Sequence, residues 1–383
     1  MQTLYFRFMK IAILGAGMVG RTMAIDLCNS KQYEVTSFDI SKHSLDILNA
    51  KEPDVKTVVA DLSDYAGYPQ MLSGFYYVIT AVPGFMGYKT LEAVIKAGKN
   101  VADISFFPED ALALDSLAKE HNVTAIVDCG VAPGMSNYII GYHNAQMKIE
   151  RFECMVGGLP MKRIKPFEYK APFSPIDVIE EYTRPARLME NGRIVEKPAL
   201  SEPELIDFKE VGTLESFNTD GLRSILFTMG HIPDMKERTL RYPGHIDLIK
   251  ALMKGGFFDS KPIKYKGIEI SPIEFSSAVL IDQWRSEPNE AEFTIMRIIV
   301  NGFKNGESHT ITYDLFDVYD NATQMSSMSR TTGYTCTGSL HLIMNGLFTE
   351  KGVFPPELVG KHPDCFHFIM QYLNERGVIY NNQ

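Results

Sequence analysis

Cysteine pairs and paired metal ligands are missing from this sequence. Its five cysteines are scattered, odd in number and never spaced as Cys-x-x-Cys, so neither a disulfide framework nor a zinc knuckle is indicated. The nine histidines are equally dispersed, and none has the His-x-x-x-His spacing of a helical metal site. These absences predict a protein without a catalytic metal, and the unpaired cysteines fit a reducing cytoplasm.

Long apolar runs and an excess of basic residues are missing too. No run approaches the ~20 apolar residues of a membrane span, and the first eight residues do not have the pattern of a signal peptide. The 38 Lys and Arg are outnumbered by 47 Asp and Glu, which argues against a duplex nucleic-acid surface. Without a Gly-x-Ser-x-Gly elbow, a serine hydrolase is excluded as well. We therefore expect a cytoplasmic protein with no nucleic-acid or membrane partner.

A glycine-rich turn follows the first apolar run of the chain. Residues 10–14 lead into Gly15-Ala16-Gly17-Met18-Val19-Gly20, and a helix is predicted over 18–29. In Gly-x-Gly-x-x-Gly the first glycine permits a tight turn, the second lets the backbone approach a pyrophosphate, and the third allows close packing of helix on strand. The helix N-terminus adds free N–H groups and the positive end of its dipole. The loop therefore predicts a dinucleotide site.

Acidic and apolar residues at the ends of the next predicted strands define the rest of that site. A second apolar run ends at Asp39, about 20 residues after Gly20, where an acidic side chain hydrogen-bonds the adenosine ribose and repels a 2′-phosphate. This favours NAD, with NADP as the less favoured cofactor. By the same strand-end rule, Asp61 and Leu62 are expected beside the adenine, and the stretch Ala81-Val82-Pro83 beside the nicotinamide-side ribose.

The 383 residues, with 45% hydrophobic and 22% charged, fit a globular protein of two or three units. Six apolar runs alternate with amphipathic segments between residues 9 and 128, the pattern of parallel strands joined by crossover helices. We predict an α/β protein: a doubly wound Rossmann sheet over 9–130, a second α+β domain for substrate binding and oligomerisation over 131–322, and a C-terminal helical segment over 323–383. A loop is expected at 191–203.

With hydrolase and metal chemistry disfavoured, hydride transfer remains. Oxidising an amine or alcohol needs a cofactor, a group that receives the substrate proton, and side chains that orient the substrate. Asp103 closes a predicted strand at the nicotinamide edge and is a candidate catalytic residue. A structural role as the cap of the following loop or helix is an equally good interpretation of the same position.

Further polar candidates lie in the second domain. Arg223 and Arg241 have the planar guanidinium that binds a substrate carboxylate through two hydrogen bonds. Tyr169 and His245 are candidate proton carriers or partners of the amine. Asp220 lies in the same stretch as Arg223. For each of them a solvated surface or a domain interface is an equally plausible setting.

Several motifs, in this order along the chain, resemble the saccharopine dehydrogenase family, most closely its lysine 6-dehydrogenase branch. They occupy residues 15–20, 130–135, 156–160, 239–245, 328–334 and 352–357. The resemblance implies a Rossmann domain, an α+β domain with a large mixed sheet, and a C-terminal helical segment that returns to the Rossmann domain. It also implies oxidation of an amine carbon of an amino acid by NAD(P) in homo-oligomers.

The resemblance leaves the substrate open. The form Gly-Val-Ala-Pro-Gly-Met over 130–135, with Ala132, is similar to lysine 6-dehydrogenase, whereas residues 218–224 depart from it. Our hypothesis is oxidative deamination of the ε-amino group of L-lysine to 2-aminoadipate 6-semialdehyde, with Asp103 or Asp220 holding an ammonium group. The alternatives are a glutamate-forming saccharopine dehydrogenase or related secondary-amine or polyamine-conjugate dehydrogenase, and a nucleotide-binding protein without turnover.

Overall fold

A computed structural model describes residues 9–171, 175–287 and 290–382, with the backbone alone for 175–177. The chain forms two compact units. The first comprises Met1–Ala145 and Ser329–Gly377, and the second comprises Gln146–Met328 and Val378–Gln383. The first unit thus extends beyond the boundary predicted after residue 130, and it takes in most of the C-terminal segment.

The first part of the chain alternates strands with helices. The elements are β1 (Met9–Leu14), α1 (Met18–Asn29), β2 (Tyr33–Asp39), α2 (Lys42–Lys51), β3 (Lys56–Val59), α3 (Tyr68–Met71), β4 (Tyr77–Thr80), α4 (Gly84–Lys96), β5 (Asn100–Asp103), α5 (Asp115–Glu120), β6 (Thr124–Ile126) and α6 (Met135–Asn144), with 3₁₀ turns at Tyr65–Gly67 and Ala111–Leu114. Between β5 and β6 the chain thus forms a 3₁₀ turn followed directly by the short helix α5.

The middle of the chain is rich in strands. The elements are β7 (Lys148–Pro160), α7 (Pro175–Thr183), β8 (Ala186–Glu190), β9 (Arg193–Lys197), β10 (Glu204–Phe208), β11 (Gly212–Thr219), α8 (Ile225–Thr228), β12 (Asp234–Arg241), α9 (His245–Lys254), β13 (Ile263–Tyr265), β14 (Ile268–Ile270), α10 (Pro272–Trp284), β15 (Glu292–Lys304) and β16 (Glu307–Val318). The prediction of a loop over 191–203 is wrong for Arg193–Lys197, because the tight turn at Asn191-Gly192 joins β8 and β9 into a hairpin, whereas 198–203 contains no helix or strand.

The end of the chain is mainly helical. Its elements are α11 (Ser327–Met344), β17 (Gly352–Phe354), α12 (Pro356–Gly360), α13 (Pro363–Asn374) and β18 (Tyr380–Asn382). Among the described residues, no helix combines the length and apolarity that crossing a membrane requires.

The first unit is built on a parallel sheet with strand order β17-β6-β5-β4-β1-β2-β3. Because helices cover both faces of such a sheet, its central strands carry near-continuous apolar runs, as the fully buried Ile11–Leu14 does in β1. The order of the first six strands is that of a dinucleotide-binding fold. The six-strand prediction misses a seventh strand, β17, which pairs with β6 from the far end of the chain.

The C-terminal segment is fixed to the first helix by a buried carboxylate. Asp26 of α1 accepts hydrogen bonds from the Thr337 hydroxyl at 2.6 Å, the Tyr372 hydroxyl at 2.7 Å and Arg376 Nε at 2.7 Å. The Arg376 guanidinium also lies 3.4 Å from the centre of the Tyr372 ring. These contacts confirm that the C-terminal segment returns to the Rossmann sheet.

The second unit contains a nine-stranded mixed sheet. Strands β10, β11, β12, β7, β15, β16 and β18 follow one another in space, and β8 and β9 extend from β12. Only the β12–β7 pair of these strands is parallel. Helices α7, α9 and α10 place Val178, Ile246 and Leu280 in one apolar core with Phe217 and Leu240 of the sheet. The predicted fold class, α/β with a Rossmann sheet and a second mixed-sheet domain, is confirmed.

Candidate active site

The glycine loop between β1 and α1 is shaped by two close backbone approaches. Gly15 has φ +111°, and a Cβ there would lie 2.3 Å from the Ala81 carbonyl oxygen. A Cβ on Gly20 would lie 2.1 Å from the carbonyl oxygen of Gly15. Gly17 differs, because it is exposed and its Cβ position meets no protein atom within 4 Å. Gly15 and Gly20 therefore allow two backbone segments to pack closely, and Gly17 leaves space for a ligand.

Asp39 is tied to this loop. Its Oδ2 accepts the N–H of Ala16 at 2.6 Å, and its Oδ1 accepts the N–H of Ser41 at 2.7 Å. Arg21 Nη1 donates to the Ala16 carbonyl at 3.0 Å from the other side. Burial lowers the pKa of Arg21, and the charge of Asp39 partly offsets that effect. The end of β2 thus presents a carboxylate held in place by main-chain donors.

The residues at the start of α1 fit the pyrophosphate of a dinucleotide. No side chain caps this helix at Gly17, and its first turn contains no acidic residue. The N–H groups of a first helical turn have no partners within the helix, so they are free to bind an anion. Met18 and Val19 carry these groups, with Met18 38% exposed. The loop, the helix end and Asp39 are therefore the groups that would hold the nucleotide.

The other predicted cofactor residues lie at the same edge of the sheet, just after β3 and β4. Asp61 is exposed and accepts both the N–H and the hydroxyl of Ser63, at 2.9 and 2.6 Å. Leu62 is buried. Ala81 follows β4 and hydrogen-bonds back to Leu14 at 2.8 Å. Val82 is buried, and the exposed Pro83 caps α4. In a parallel sheet this edge is where a ligand lies.

Asp103 ends β5 at that edge and is fully buried. Its Oδ1 accepts hydrogen bonds from the Thr80 hydroxyl and, at 3.1 Å, from the N–H of Ser105, whereas Oδ2 has no hydrogen-bond partner among the described residues. Burial raises the pKa of Asp103 to about 7, with a smaller contribution from the charge of Asp128. A buried carboxyl with an unsatisfied oxygen is costly unless that oxygen is protonated or meets a further donor.

A second polar cluster lies in the second unit, around Arg241. We call the group formed by Tyr169, Tyr182, Arg241, His245 and Trp284 the Arg241 cluster. Arg241 Nε donates to the Tyr182 hydroxyl at 3.0 Å, and its Nη2 donates to the Tyr169 hydroxyl at 3.4 Å. The guanidinium also lies 4.4 Å from the centre of the Tyr169 ring. The buried charge is therefore stabilised by hydroxyl oxygens and aromatic faces together.

Among the described residues, Glu181 is the carboxylate partner of Arg241. Its Nη2 lies 3.0 Å from Glu181 Oε2, and Nη1 donates to the Leu240 carbonyl at 3.0 Å. Only 3% of the Arg241 side chain is exposed, against 27% of the Glu181 side chain. Most N–H groups of the guanidinium are thus bonded within the protein, and Glu181 is the partner that reaches solvent.

Each ring nitrogen of His245 has its own hydrogen-bond partner. His245 Nε2 lies 2.9 Å from the Tyr182 hydroxyl, and Nδ1 lies 2.9 Å from the carbonyl oxygen of Phe167. Burial, with a smaller effect of the Arg241 charge, lowers the pKa of His245 to about 3. A neutral ring must then donate from Nδ1 to the carbonyl and accept at Nε2. The result is a directed chain from Arg241 through the Tyr182 hydroxyl to His245.

Four elements of the second unit meet at this cluster. Arg241 ends β12, and Gly244, with φ +95°, turns the chain so that His245 begins α9. Tyr182 comes from α7. Trp284, at the end of α10, packs edge-to-face on Tyr169 and Tyr182, with ring centres 5.5 and 6.0 Å apart.

Of the residues predicted for catalysis, the structure brings Tyr169, Arg241 and His245 together. Asp220 is engaged elsewhere: Arg187 binds its carboxylate through Nε at 2.8 Å and Nη2 at 2.9 Å. Arg223 lies in the turn before α8, half-buried and with φ +47°. Asp103 belongs to the other unit. The catalytic roles of all of these residues remain predictions.

Sequence reasoning missed three contributors to the cluster, Glu181, Tyr182 and Trp284. The first two are consecutive residues near the end of α7, and the third is the single tryptophan of the chain. No spacing rule links a helix residue at 182 to a strand end at 241. Among the residues that the structure describes, no group of three His, Cys, Asp or Glu side chains is placed to hold a metal ion.

Two family models match consecutive parts of the chain. The saccharopine dehydrogenase NADP binding domain matches residues 11–126, and the saccharopine dehydrogenase C-terminal domain matches residues 127–378.

Two similar proteins and one solved structure extend this result. Carboxyaminopropylagmatine dehydrogenase of Synechocystis is 22% identical over 92% of this chain and 94% of its own length. The NADP-dependent, L-glutamate-forming saccharopine dehydrogenase of Schizosaccharomyces pombe is 25% identical over 67% of this chain and 60% of its own. The apo structure of the L-glutamate-forming saccharopine dehydrogenase of Saccharomyces cerevisiae superimposes with a TM-score of 0.80 at 19% identity, covering 98% of this chain and 99% of that one. This last match supports the fold alone.

Proposed function

Because the chain belongs to the saccharopine dehydrogenase family of amino-acid dehydrogenases, we propose that it oxidises, or in reverse forms, a secondary amine that joins an amino-acid skeleton to a second amine. The observation that carries this proposal is the end-to-end match, over 94% of its length, to a dehydrogenase named for a carboxyaminopropyl conjugate of agmatine. The fungal saccharopine dehydrogenases it resembles act on a substrate of the same class by name, although this chain spans only 60% and 58% of the lengths of two of them.

The proposed reaction needs a hydride acceptor and groups that bind the amine. Oxidation of a secondary amine removes a hydride from carbon and a proton from nitrogen, and water then hydrolyses the C=N bond to a carbonyl compound and an amine. A bound pyridine nucleotide supplies the hydride acceptor. The glycine loop, the N-terminus of α1 and Asp39 bind that nucleotide and set its position.

In the second unit, Tyr182 and His245 form a frame rather than a free proton acceptor. Both nitrogens of His245 are already bonded, and the Tyr182 hydroxyl accepts from Arg241 while it donates to His245. The partly exposed carboxylate of Glu181, held by Arg241, is the group to which we assign contact with a cationic amine of the substrate. This assignment replaces lysine-specific roles for Asp220, whose carboxylate Arg187 already neutralises.

A spectrophotometric comparison tests the substrate class. Saccharopine, carboxyaminopropylagmatine and L-lysine are offered in turn with NAD, and NADH formation is followed. We expect kcat/KM for a secondary amine to exceed that for lysine by about tenfold or more. Turnover of lysine alone would favour the second candidate, a lysine 6-dehydrogenase, which the Gly-Val-Ala-Pro-Gly-Met sequence over 130–135 supports. Nucleotide binding without any turnover would overturn both.

A matched pair of variants tests the role of Glu181. Glu181→Gln removes the charge that would meet a cationic amine, so KM should rise by about tenfold. Asp220→Asn serves as the control. The Asp220 carboxylate is bonded to Arg187, so this substitution should leave KM unchanged. Equal changes in both variants would contradict the assignment.

For the cofactor we propose NAD. The Asp39 carboxylate is held at the ribose end of the loop, and its charge repels a 2′-phosphate. The matched family model is described as NADP binding, so the choice needs a direct measurement. We expect kcat/KM to be about tenfold or more higher with NAD than with NADP, and Asp39→Asn to narrow that ratio. Asp46→Asn, which changes an exposed acid of α2 that pairs with Lys42, is the control. A native preference for NADP would overturn the proposal.

A further inference from the structure

An open cavity lies in the second unit, where the start of β7, the end of β8 and the start of β12 meet. Its volume is about 330 Å³, within the range of about 300–1,000 Å³ that small-molecule sites occupy. Asp234, which lines the cavity, and Arg241 are the first and last residues of β12, so their Cα atoms lie roughly 20 Å apart. The cavity is therefore distinct from the Arg241 cluster.

The lining of this cavity combines apolar and charged residues. Its apolar part, between 1 and 4% exposed, includes Leu188, Met189 and Met235. Its charged part includes Arg151, Asp234 and Lys236. The register of β7 and β12 sets Arg151 beside Asp234. Because Asp234 and Lys236 are two residues apart on one strand, their side chains lie on the same face of the sheet. Charges of both signs thus meet at one side of the cavity.

One acid and one base of the cavity have bonding capacity that the described residues do not use. Asp234 accepts the N–H of Asn191 at 3.1 Å through Oδ1, and no described donor reaches its Oδ2. The half-buried Lys236 has no hydrogen bond or ion pair among the described residues. Arg151 pairs with Glu153 at 2.8 Å, and 52% of its side chain is exposed. A ligand in the cavity would therefore meet both a carboxylate and an ammonium group.

Two acids near Lys236 are bonded to other residues. A hydrogen bond from Lys197 is the largest cause that lowers the pKa of Glu202, and the charge of Lys236 has a smaller effect. Glu204 is similar, because the hydrogen bond from Arg238 lowers its pKa most. The Lys236 ammonium group thus stays available at the cavity.

We propose that this cavity binds a free α-amino acid with an apolar side chain, at a site separate from that of the proposed reaction. The ligand's carboxylate faces Lys236 and Arg151, and its ammonium group faces Asp234. The apolar side chain lies against Leu188 and its buried neighbours. A simple anion would meet the like charge of Asp234, and a simple cation that of Lys236. A zwitterion is complementary to both.

Isothermal titration calorimetry of the full chain with L-leucine tests the proposal. Leucine has an apolar side chain without a second amine, so it differs from the substrate class proposed above. We expect a Kd of about 1 mM or tighter. Two analogues with one charge each, 4-methylpentanoate without the ammonium group and 3-methylbutylamine without the carboxylate, should bind about tenfold more weakly or less tightly still.

Substitutions locate the binding site. Asp234→Asn and Lys236→Gln should each raise the Kd for L-leucine by about tenfold, because each removes one charge that the zwitterion meets. The matched controls are Asp282→Asn and Lys264→Gln, two exposed residues of the same unit outside the cavity, and they should bind leucine as the wild type does. Glu181→Gln should also leave leucine binding unchanged, which separates this test from that of the proposed function.

Amide hydrogen exchange provides a readout that does not depend on affinity alone. Saturating L-leucine should slow exchange over 187–192 and 233–237 by about threefold or more in the wild type. Urea unfolding followed through Trp284 should give equal midpoints for wild type and variants, which excludes misfolding as the cause of lost binding. A wild type that does not bind leucine, one-charge analogues that bind as tightly, or cavity variants with wild-type affinity would each overturn the proposal. So would a loss of leucine binding in Glu181→Gln.

Discussion

The two units of this protein build their polar sites in opposite ways. In the first, the groups at the sheet edge are mainly main-chain N–H groups of an exposed loop, and Gly17 leaves open space beside them. In the second, the site is a buried set of side chains in which Arg241 has hydroxyl, carboxylate and aromatic partners. The first arrangement suits a ligand that the protein holds by its phosphates, whatever the rest of that ligand is. In the second arrangement, a substitution of any one side chain changes the hydrogen bonds of the site.

Because of this difference, the two sites should respond differently to substitutions. A main-chain site tolerates changes of side chain and fails when a backbone approach is blocked. A side-chain frame fails when one of its members is removed, because the remaining buried polar groups lose their partners. The following predictions test that contrast, from the largest expected effect to the smallest.

Removal of the Arg241 guanidinium should be the most damaging change. Arg241→Leu leaves the Tyr169 and Tyr182 hydroxyls without a buried donor and Glu181 without its cation. Breaking a buried pair in this way costs about 3–5 kcal/mol of unfolding free energy. Trp284 is the only tryptophan and lies in the cluster, so its fluorescence during urea unfolding reports on the second unit alone.

Met18→Ala is the matched change at the other site. It alters an exposed side chain of the glycine loop and leaves the main-chain donors in place, so the stability of both units should stay within about 0.5 kcal/mol of the wild type. If Arg241→Leu proves equally mild, the Arg241 cluster is not a frame and the contrast between the units fails.

Blocking a backbone approach should be the counterpart in the first unit. Gly20→Ala puts a Cβ 2.1 Å from the Gly15 carbonyl oxygen, which forces the loop to move and costs roughly 3 kcal/mol. Gly17→Ala adds the same methyl group where no protein atom lies within 4 Å, so folding stability should not change. NADH titration should show weaker binding in both variants, whereas thermal unfolding should separate them. Destabilisation by Gly17→Ala would contradict the assignment of this space to a ligand.

How far the sequence predicts these two sites follows from the same contrast. The loop, the helix Met18–Asn29 and the acidic end of β2 lie within 30 residues, and local spacing predicts them correctly. Strand β17 escapes prediction because a three-residue edge strand is defined by its pairing with β6, more than 200 residues earlier. Its own sequence, Gly-Val-Phe, carries too little periodicity to identify it.

The sequence predicts some members of the Arg241 cluster but not the contacts between them. Polar residues in a stretch that resembles a family motif indicate Arg241 and His245, but nothing local indicates that Tyr182 lies between them. Asp220 shows the converse error, since its type suggests a ligand for an ammonium group while the fold pairs it with Arg187. Pairings set by tertiary packing are invisible to spacing rules.

Acidification should affect the two units in opposite directions. The pKa of His245 is lowered to about 3 from an ordinary value near 6.5, so the unfolded state binds its proton first and the second unit loses stability as the pH falls below 6.5. The pKa of Asp103 is raised to about 7 from near 3.8. Its folded state therefore binds the proton first, and the contribution of Asp103 to stability grows as the pH falls from 7 toward 4.

Between pH 7 and pH 5 each effect should reach about 2 kcal/mol, with opposite sign. His245→Gln should flatten the response of the second unit, measured through Trp284 fluorescence. Asp103→Asn should flatten that of the first, measured by hydrogen exchange of β4 and β5. The same sign in both units would refute the assigned protonation states, which are a neutral His245 and a protonated Asp103 below pH 7.

The smallest effect on stability is expected at Asp26, because its carboxylate has several hydrogen-bond donors. Asp26 accepts three hydrogen bonds, so Tyr372→Phe removes one of them and leaves Thr337 and Arg376 in place. The cost should be about 1 kcal/mol of unfolding free energy for the first unit, and NADH binding should be unaffected. Because phenylalanine keeps the ring that contacts Arg376 and Phe368, the change reports on the lost hydroxyl alone. A loss above about 3 kcal/mol from Tyr372→Phe would mean that the first unit also depends on a single side-chain frame. The two units would then both depend on buried side-chain networks, and they would differ only in where those networks lie.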